Sequence, residues 1–250
     1  MKATITKDTL NRLYHIGLFT KIMYLERNIR LSACSDTFRY GTTLKDLDDD
    51  FKIPIQNLPL FISLVETAMG KNETVDIEYD VTEKEFGLET KKLYTVNIIS
   101  QTQSTKFYSA EIEEFETITP KDTKDKSKVS ESKLPTSHMR FNLSSETLKM
   151  MDKNCKVLGA DTIMFKANDD KPIKCKIYCS NIPDTPVSEF KIDNISTVNG
   201  DEFPLSIQMF NYIDKSLDYN VVINCEKNAI LFANEEHGTF YITARKKMSN

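Results

Sequence analysis

Three lysines, Lys149, Lys153 and Lys156, stand at i, i+4 and i+7. On a helix that spacing makes one narrow stripe, because each residue turns the axis by about 100°. A solvated helix face is one meaning of such a stripe, since charged side chains usually lie outside. The sign of the charge favours a second. The chain holds 33 Lys+Arg against 37 Asp+Glu, a formal charge of −4. Like charges crowded on one face repel unless something anionic lies opposite. A phosphate backbone meets such a face without regard to base sequence. Weaker versions occur elsewhere. Lys7, Asn11 and Arg12, with His15, fall on the first helical stretch, and Asn211 and Lys215 on the last. The second helical stretch offers only Lys71, just after its end.

Catalytic chemistry has much less to stand on. The chain has 5 cysteines and 3 histidines. Cys175 and Cys179 alternate with Lys174, Lys176 and Tyr178 beside Ile173 and Ile177, which puts both on the apolar face of a strand. A Cys-x3-Cys metal pair lacks a matching second pair, and free cysteine is a common core residue. His15, His138 and His237 are far apart, and no local Cys–His signature accompanies them. The carboxylates are scattered, so no acid–base pair stands out. Only 7 glycines occur in 250 residues, against an average near ~7%. Neither a P-loop nor a GxGxxG is present, which argues against a nucleotide-binding enzyme. The expectation is a protein with no catalytic residues, no metal and no cofactor. No run of 18 apolar residues occurs, so no helical membrane span is expected. The first 18 residues lack the compact apolar run of a signal peptide. A cytoplasmic location with reduced thiols follows as the expectation, the host cytoplasm for a viral protein.

The elements that would carry these residues divide into two sets. Residues 119–138 are polar, Lys-rich and bounded by Pro120 and Pro135, the composition of an exposed linker. They separate a first domain, 1–118, from a second, 139–250. Each half opens with a helical pattern. In 7–18, Thr6 is the N-cap and Leu10, Leu13 and Tyr14 fall at helical spacing. In 144–158, Leu148, Met151, Cys155 and Leu158 line one face, a serine caps the start and Gly159 ends it. Short alternating strands follow at 21–26 and 29–35, and at 162–167 and 173–179. An acidic segment then leads into a second helix. The first half's starts at Asn57 with Pro59 in its first turn. The second half's spans 206–217. Further strands close each half, at 75–80, 94–100 and 106–118, and at 219–226, 229–234 and 239–245. Both halves therefore read helix, strands, helix, strands, as a diverged duplication would.

Four stretches carry a family likeness: Lys7-Asp8-Thr9-Leu10 opening the first helix; 51–65, an acidic strand running into a Leu/Phe/Ile helix; Leu158-Gly159-Ala160-Asp161-Thr162-Ile163; and the closing run 219–246. In pattern and order the chain resembles the sliding clamps of DNA replication, most closely the T-even phage type. The resemblance implies an α+β fold of two similar DNA-clamp domains, each with two helices packed on antiparallel sheet. Three subunits would form a closed ring, a homotrimer with the helices lining the hole. Such a ring is a DNA polymerase processivity factor. It encircles duplex DNA without reading sequence, tethers the replicative polymerase and is opened by a clamp loader ATPase. Lys7, Asn11, Arg12, Lys71, Lys149, Lys153, Lys156, Asn211 and Lys215 would face the DNA. The resemblance also implies a subunit interface between edge strands near 106–118 and 187–195.

Three other readings remain open on the sequence. One is the cellular and archaeal trimeric type of the same clamp. Another is a monomeric single-stranded nucleic-acid-binding module, which needs exposed aromatics beside lysines. The third is an enzyme using Cys34, Cys155 or Cys225 as nucleophile.

Overall fold

The computed structural model describes residues 1–33, 38–86, 89–111, 138–167, 172–180, 187–196 and 202–247. The linker expected over 119–138 lies outside them except for His138, as do Cys34 and the last part of the strand expected over 106–118. The chain is α+β, with helices packed on antiparallel sheets. It forms two compact units, Met1–Ala33 with Thr42–Thr123, and Cys34–Gly41 with Lys124–Asn250.

The first unit contains β1 (Lys2–Thr6), α1 (Lys7–Ile16), β2 (Met23–Glu26) and β3 (Asn28–Ala33). β4 (Phe38–Thr43) follows, with its residues up to Gly41 in the second unit. The first unit continues with β5 (Lys52–Ile55), α2 (Leu58–Met69), β6 (Thr74–Phe86), β7 (Glu89–Ile99) and β8 (Ser104–Ala110). One sheet runs β1-β6-β7-β8, and β2 pairs with β5. Alternation fixes the register. Ala3 and Ile5 of β1 meet Ile77 and Val75 of β6, all of them buried. Sliding β1 by one residue would turn that pair to water. The core closes with Leu13, Phe61 and Val65 from the helices over Ile77, Val96 and Ile98 from the sheet. Phe61 meets Phe107 edge-on at 5.5 Å.

The second unit contains β9 (His138–Leu143), α3 (Ser145–Leu158), β10 (Thr162–Lys166), β11 (Ile173–Tyr178), β12 (Ser188–Ile192) and β13 (Asn194–Ser196). After them come β14 (Glu202–Ser206), α4 (Ile207–Asn211), β15 (Tyr219–Asn224), β16 (Ala229–Asn234) and β17 (Thr239–Ala244). Its larger sheet runs β13-β9-β15-β16-β17-β4, its smaller one β12-β11-β10-β14. Phe141, Leu148, Phe165, Phe203, Phe210 and Phe232 are wholly buried.

The two units share a plan. In the first, the strand before the leading helix pairs with the strand after the second helix, and two more strands add in sequence, β1-β6-β7-β8. In the second, β9-β15-β16-β17 repeats that order with α3 and α4 in the same places. The strand after the leading helix pairs with the strand before the second helix in both, β2 with β5 and β10 with β14.

Three expectations need correction. The fourth helix does not run over 206–217. It stops at Asn211, because Asp214 takes the Ser216 N–H (2.8 Å) and hydroxyl (2.7 Å), and this local turn competes with helix. Cys179 does not share the buried face with Cys175: β11 ends at Tyr178, and Cys179 is half-exposed. β1, β4 and β9 were not foreseen. β1 and β9 are short and pair with strands far along the chain, as β4 does with β17, so no local turn announces those pairings.

Candidate nucleic-acid interface

Helix α3 forms where its sequence says it should. The Ser144 hydroxyl accepts from the Thr147 N–H at 3.2 Å, and Glu146 sits in the first turn, where the helix dipole favours an anion. Gly159 takes a left-handed conformation (φ 56°, ψ 32°) and closes the last turn. Leu148, Met151 and Cys155 are buried against the unit's core. The opposite face carries Lys149, Lys153 and Lys156, all exposed, within a roughly 60° arc.

The three lysines differ in their partners. Lys156 Nζ lies 2.6 Å from the Asp152 carboxylate one turn back. Lys149 and Lys153 form no ion pair among the described residues, and they flank Met150 beside Ser145 and Glu146 in a shallow depression. Some lysines on the sheets are held in ion pairs. Lys2 meets Asp76 at 3.0 Å, Lys166 meets Glu202 at 2.6 Å and Lys176 meets Glu189 at 2.9 Å.

The remaining expected contact residues are scattered in role. Lys7 pairs with Glu73 at 2.5 Å. Asn11 is exposed on α1, Lys71 is exposed in the turn after α2, and Asn211 is exposed at the end of α4. Arg12 folds back on its own unit, donating to the Thr43 carbonyl at 2.7 Å and to Asp8 at 2.7 Å; only 10% of its side chain is exposed. Lys215 lies beyond α4. Its ammonium donates to the carbonyls of Phe210 (3.0 Å), Ile213 (3.1 Å) and Asn211 (3.3 Å), and it lies over the Phe210 ring. Burial holds its pKa below that of a free lysine, although Asp152 stands 3.8 Å away. Arg12 and Lys215 therefore satisfy backbone acceptors that a short helix or a strand end leaves open.

Sequence reasoning missed one polar cluster. Asp161 accepts from the Ser180 N–H (2.8 Å), the Ser180 hydroxyl (2.8 Å) and the Thr162 hydroxyl (2.7 Å). Lys246, just after β17, donates to Thr162 Oγ1 at 2.6 Å and to Ser180 Oγ at 3.1 Å. Burial opposes ionisation of Asp161, but those donors and the Lys246 charge outweigh it and hold the carboxyl well below the usual range. Asp161 and Lys246 are 85 residues apart, so only the fold brings them together.

Cys155 and Cys175 are poor nucleophiles. Burial pushes the Cys155 thiol up to about 11, and the Asp152 carboxylate adds to the shift. Burial raises Cys175 as well. Both are thiols at neutral pH, and the thiolate is the nucleophile. Among the described residues, no group of three or more His, Cys, Asp or Glu is placed to hold a metal ion. No helix among them is long and apolar enough to cross a membrane.

No family model matches the sequence. No curated protein matches it either. Solved structures do. The chain is similar over 98% of its length to 99% of a chain in the PCNA2–PCNA3 complex of Sulfolobus tokodaii, with a TM-score of 0.64 at 12% identity. It matches A. fulgidus PCNA, solved with the C-terminal region of FEN-1 bound, over 100% of its length and 99% of that chain, at TM-score 0.64 and 12% identity. It also matches the Helicobacter pylori beta clamp, solved with a DNA ligase peptide, at TM-score 0.58 and 14% identity, spanning 68% of that longer chain. At such identities the likeness shows the fold: the chain is built as the PCNA and beta-clamp chains are.

Proposed function

We propose that this chain is a DNA polymerase processivity factor, a sliding clamp of three copies closed into a ring around duplex DNA. The observation that carries the reading is a lysine face, with no ion-pair partner for Lys149 and Lys153 among the described residues, presented by a helix of a doubled clamp-type fold. Its partners would be duplex DNA, a replicative polymerase tethered to the ring, and a clamp loader ATPase that opens it. The resemblance in its opening helix and closing run favours the T-even phage type, working in the host cytoplasm. The protein itself does no chemistry in this reading.

Weak contact suits the task. A ring holds DNA by enclosure, so lysines that meet phosphates singly, without base contacts, let it slide. The two domains would be residues 1–118 and 139–250, on either side of the linker at 119–138, with Cys34–Gly41 grouped with the second unit. Ring closure needs edges that can pair. β8 lies at one end of the first unit's sheet, with Tyr108 68% exposed, and β12 at one end of the second unit's smaller sheet, beside exposed Val187. Pairing β8 of one copy with β12 of the next would remove both open edges. A single-stranded nucleic-acid module needs exposed aromatics for stacking, whereas most aromatics here are core residues such as Phe61, Phe141, Phe165 and Phe210.

Solution mass tests the assembly. Sedimentation equilibrium of the full chain should give three copies of 28.7 kDa, about 86 kDa. A species that stays at one copy over the micromolar range would overturn the ring.

A further inference from the structure

The two units repeat one plan, but their helices do not carry the same charge. On α1 and α2 the cations are Lys7 and Arg12 and the anions Asp8 and Glu66. Lys7 is paired with Glu73 and Arg12 with Asp8, and Arg12 is turned to the backbone of β4. α2 has no basic residue at all; its exposed side chains include Leu60, Ser63, Glu66 and Thr67. Glu66 accepts from the Tyr14 hydroxyl of α1 at 2.5 Å, which places a carboxylate on the helix pair's exposed face. Tyr14 and Leu18 are exposed on the same side of the unit's leading helix and the turn after it. A phosphate brought to the exposed face of this helix pair meets an acid and apolar groups, and Lys71 lies beyond α2, in the turn that follows it.

α3 is the opposite. It carries Lys149, Lys153 and Lys156 against Glu146 and Asp152. Asp152 is mostly buried, with 18% of its side chain exposed, and it engages Lys156 from below its own stripe while also facing Lys215. Lys156 is thereby partly neutralised. Lys149 and Lys153, one turn apart, are exposed and form no ion pair among the described residues.

We infer that duplex DNA is held by alternate walls of the ring only. Lys149 and Lys153 of each second unit bind the phosphates, and the helix pair of each first unit is a passive spacer. Asp152 moderates the grip by holding Lys156. This rests on the sliding-clamp reading and narrows it: of the residues expected to face DNA, those of the first unit contribute no binding free energy.

Two double variants of the full chain remove the same charge from different walls, Lys149→Ala with Lys153→Ala, and Lys7→Ala with Lys71→Ala. Each is titrated against a fluorescein-labelled 30-base-pair duplex of arbitrary sequence by anisotropy, over a range of NaCl concentrations. Each pair removes two lysines per copy, six per three-copy ring, and loss of six phosphate contacts makes the slope of log K against log salt shallower by about 5.4 and weakens binding roughly a hundredfold or more at low salt. That outcome is expected for the second-unit pair, with less than a twofold change for the first-unit pair. Asp152→Asn, which frees Lys156 in each of the three copies, should tighten binding and steepen the slope by about 2.7. Lys→Gln versions of both pairs serve where an alanine variant melts below the parent. Equal losses from the two pairs overturn the inference. So does a larger loss from the first-unit pair, or wild-type binding too weak to measure at the lowest salt. The ring reading is separable, because it stands or falls on the mass of the wild-type protein and on its retention on circular DNA.

Discussion

Asp161 shows what single residues contribute here. Its carboxylate collects the Ser180 amide, the Ser180 and Thr162 hydroxyls and the Lys246 ammonium, and so ties the end of the chain to β10 and to the residue pair that follows β11. A carboxyl whose folded pKa is depressed stabilises the fold above its unfolded value, ~3.9, and that contribution disappears as pH falls through the folded one. Asp161→Asn should therefore lower unfolding free energy by about 1–3 kcal/mol at pH 7. The gap from wild type should shrink steadily below about pH 4. Urea denaturation at pH 7 and pH 3 checks it; a gap that is the same at both values would show that the charge is not what matters. The sequence offered Asp161 only as part of a helix-to-strand join, because its partners at 180 and 246 are remote. The same limit applied to Arg12 and Lys215. Their type pointed to phosphate, but their length lets the head group fold back to unfilled carbonyls, and no spacing rule reports that.

Helix α3 was readable for a reason. Its signals are all local: a serine at the N-cap, an acid in the first turn, Leu148, Met151 and Cys155 on one face, and a glycine at the end. Ser144→Ala should cost about 1 kcal/mol of stability through loss of the Thr147 N–H bond. Gly159→Ala should cost about as much, since φ of 56° suits glycine and strains an L side chain. Thermal unfolding of the two variants measures both, and an unchanged or raised Tm for Gly159→Ala would contradict the cap assignment. α2 was equally legible from Asn57, which accepts from the Leu60 N–H at 3.1 Å, and from Pro59 in the first turn. α4 was not. Its apolar spacing continues past Asn211, but Asp214 and Ser216 close a side-chain turn, and the Tyr219 hydroxyl donates to the Asp214 carbonyl at 2.8 Å. A local polar competitor ended a helix that periodicity alone would extend.

At the scale of the molecule, the repeated order of helices and strands was legible because it survives loop insertions. The sheets that express it were less so. β1 and β9 each begin a unit and pair with a strand about seventy residues on or more, Ile5 with Val75 and Leu143 with Tyr219. Such long-range pairs are fixed by the burial of one sheet face and not by any turn between them. The segment Cys34–Gly41 belongs with the second unit although it lies deep in the first half of the chain. There Tyr40 meets Tyr241 with ring centroids 5.0 Å apart. No composition shift marks that exchange. Enclosure of DNA is the central claim, and topology tests it most directly. Wild-type chain is loaded on a nicked circular plasmid with its clamp loader and ATP, freed of unbound protein by gel filtration, and the plasmid is then cut once. A sliding ring stays with the intact circle and is lost within minutes of the cut. Equal retention on the linear DNA, or none on the circle, would contradict the account.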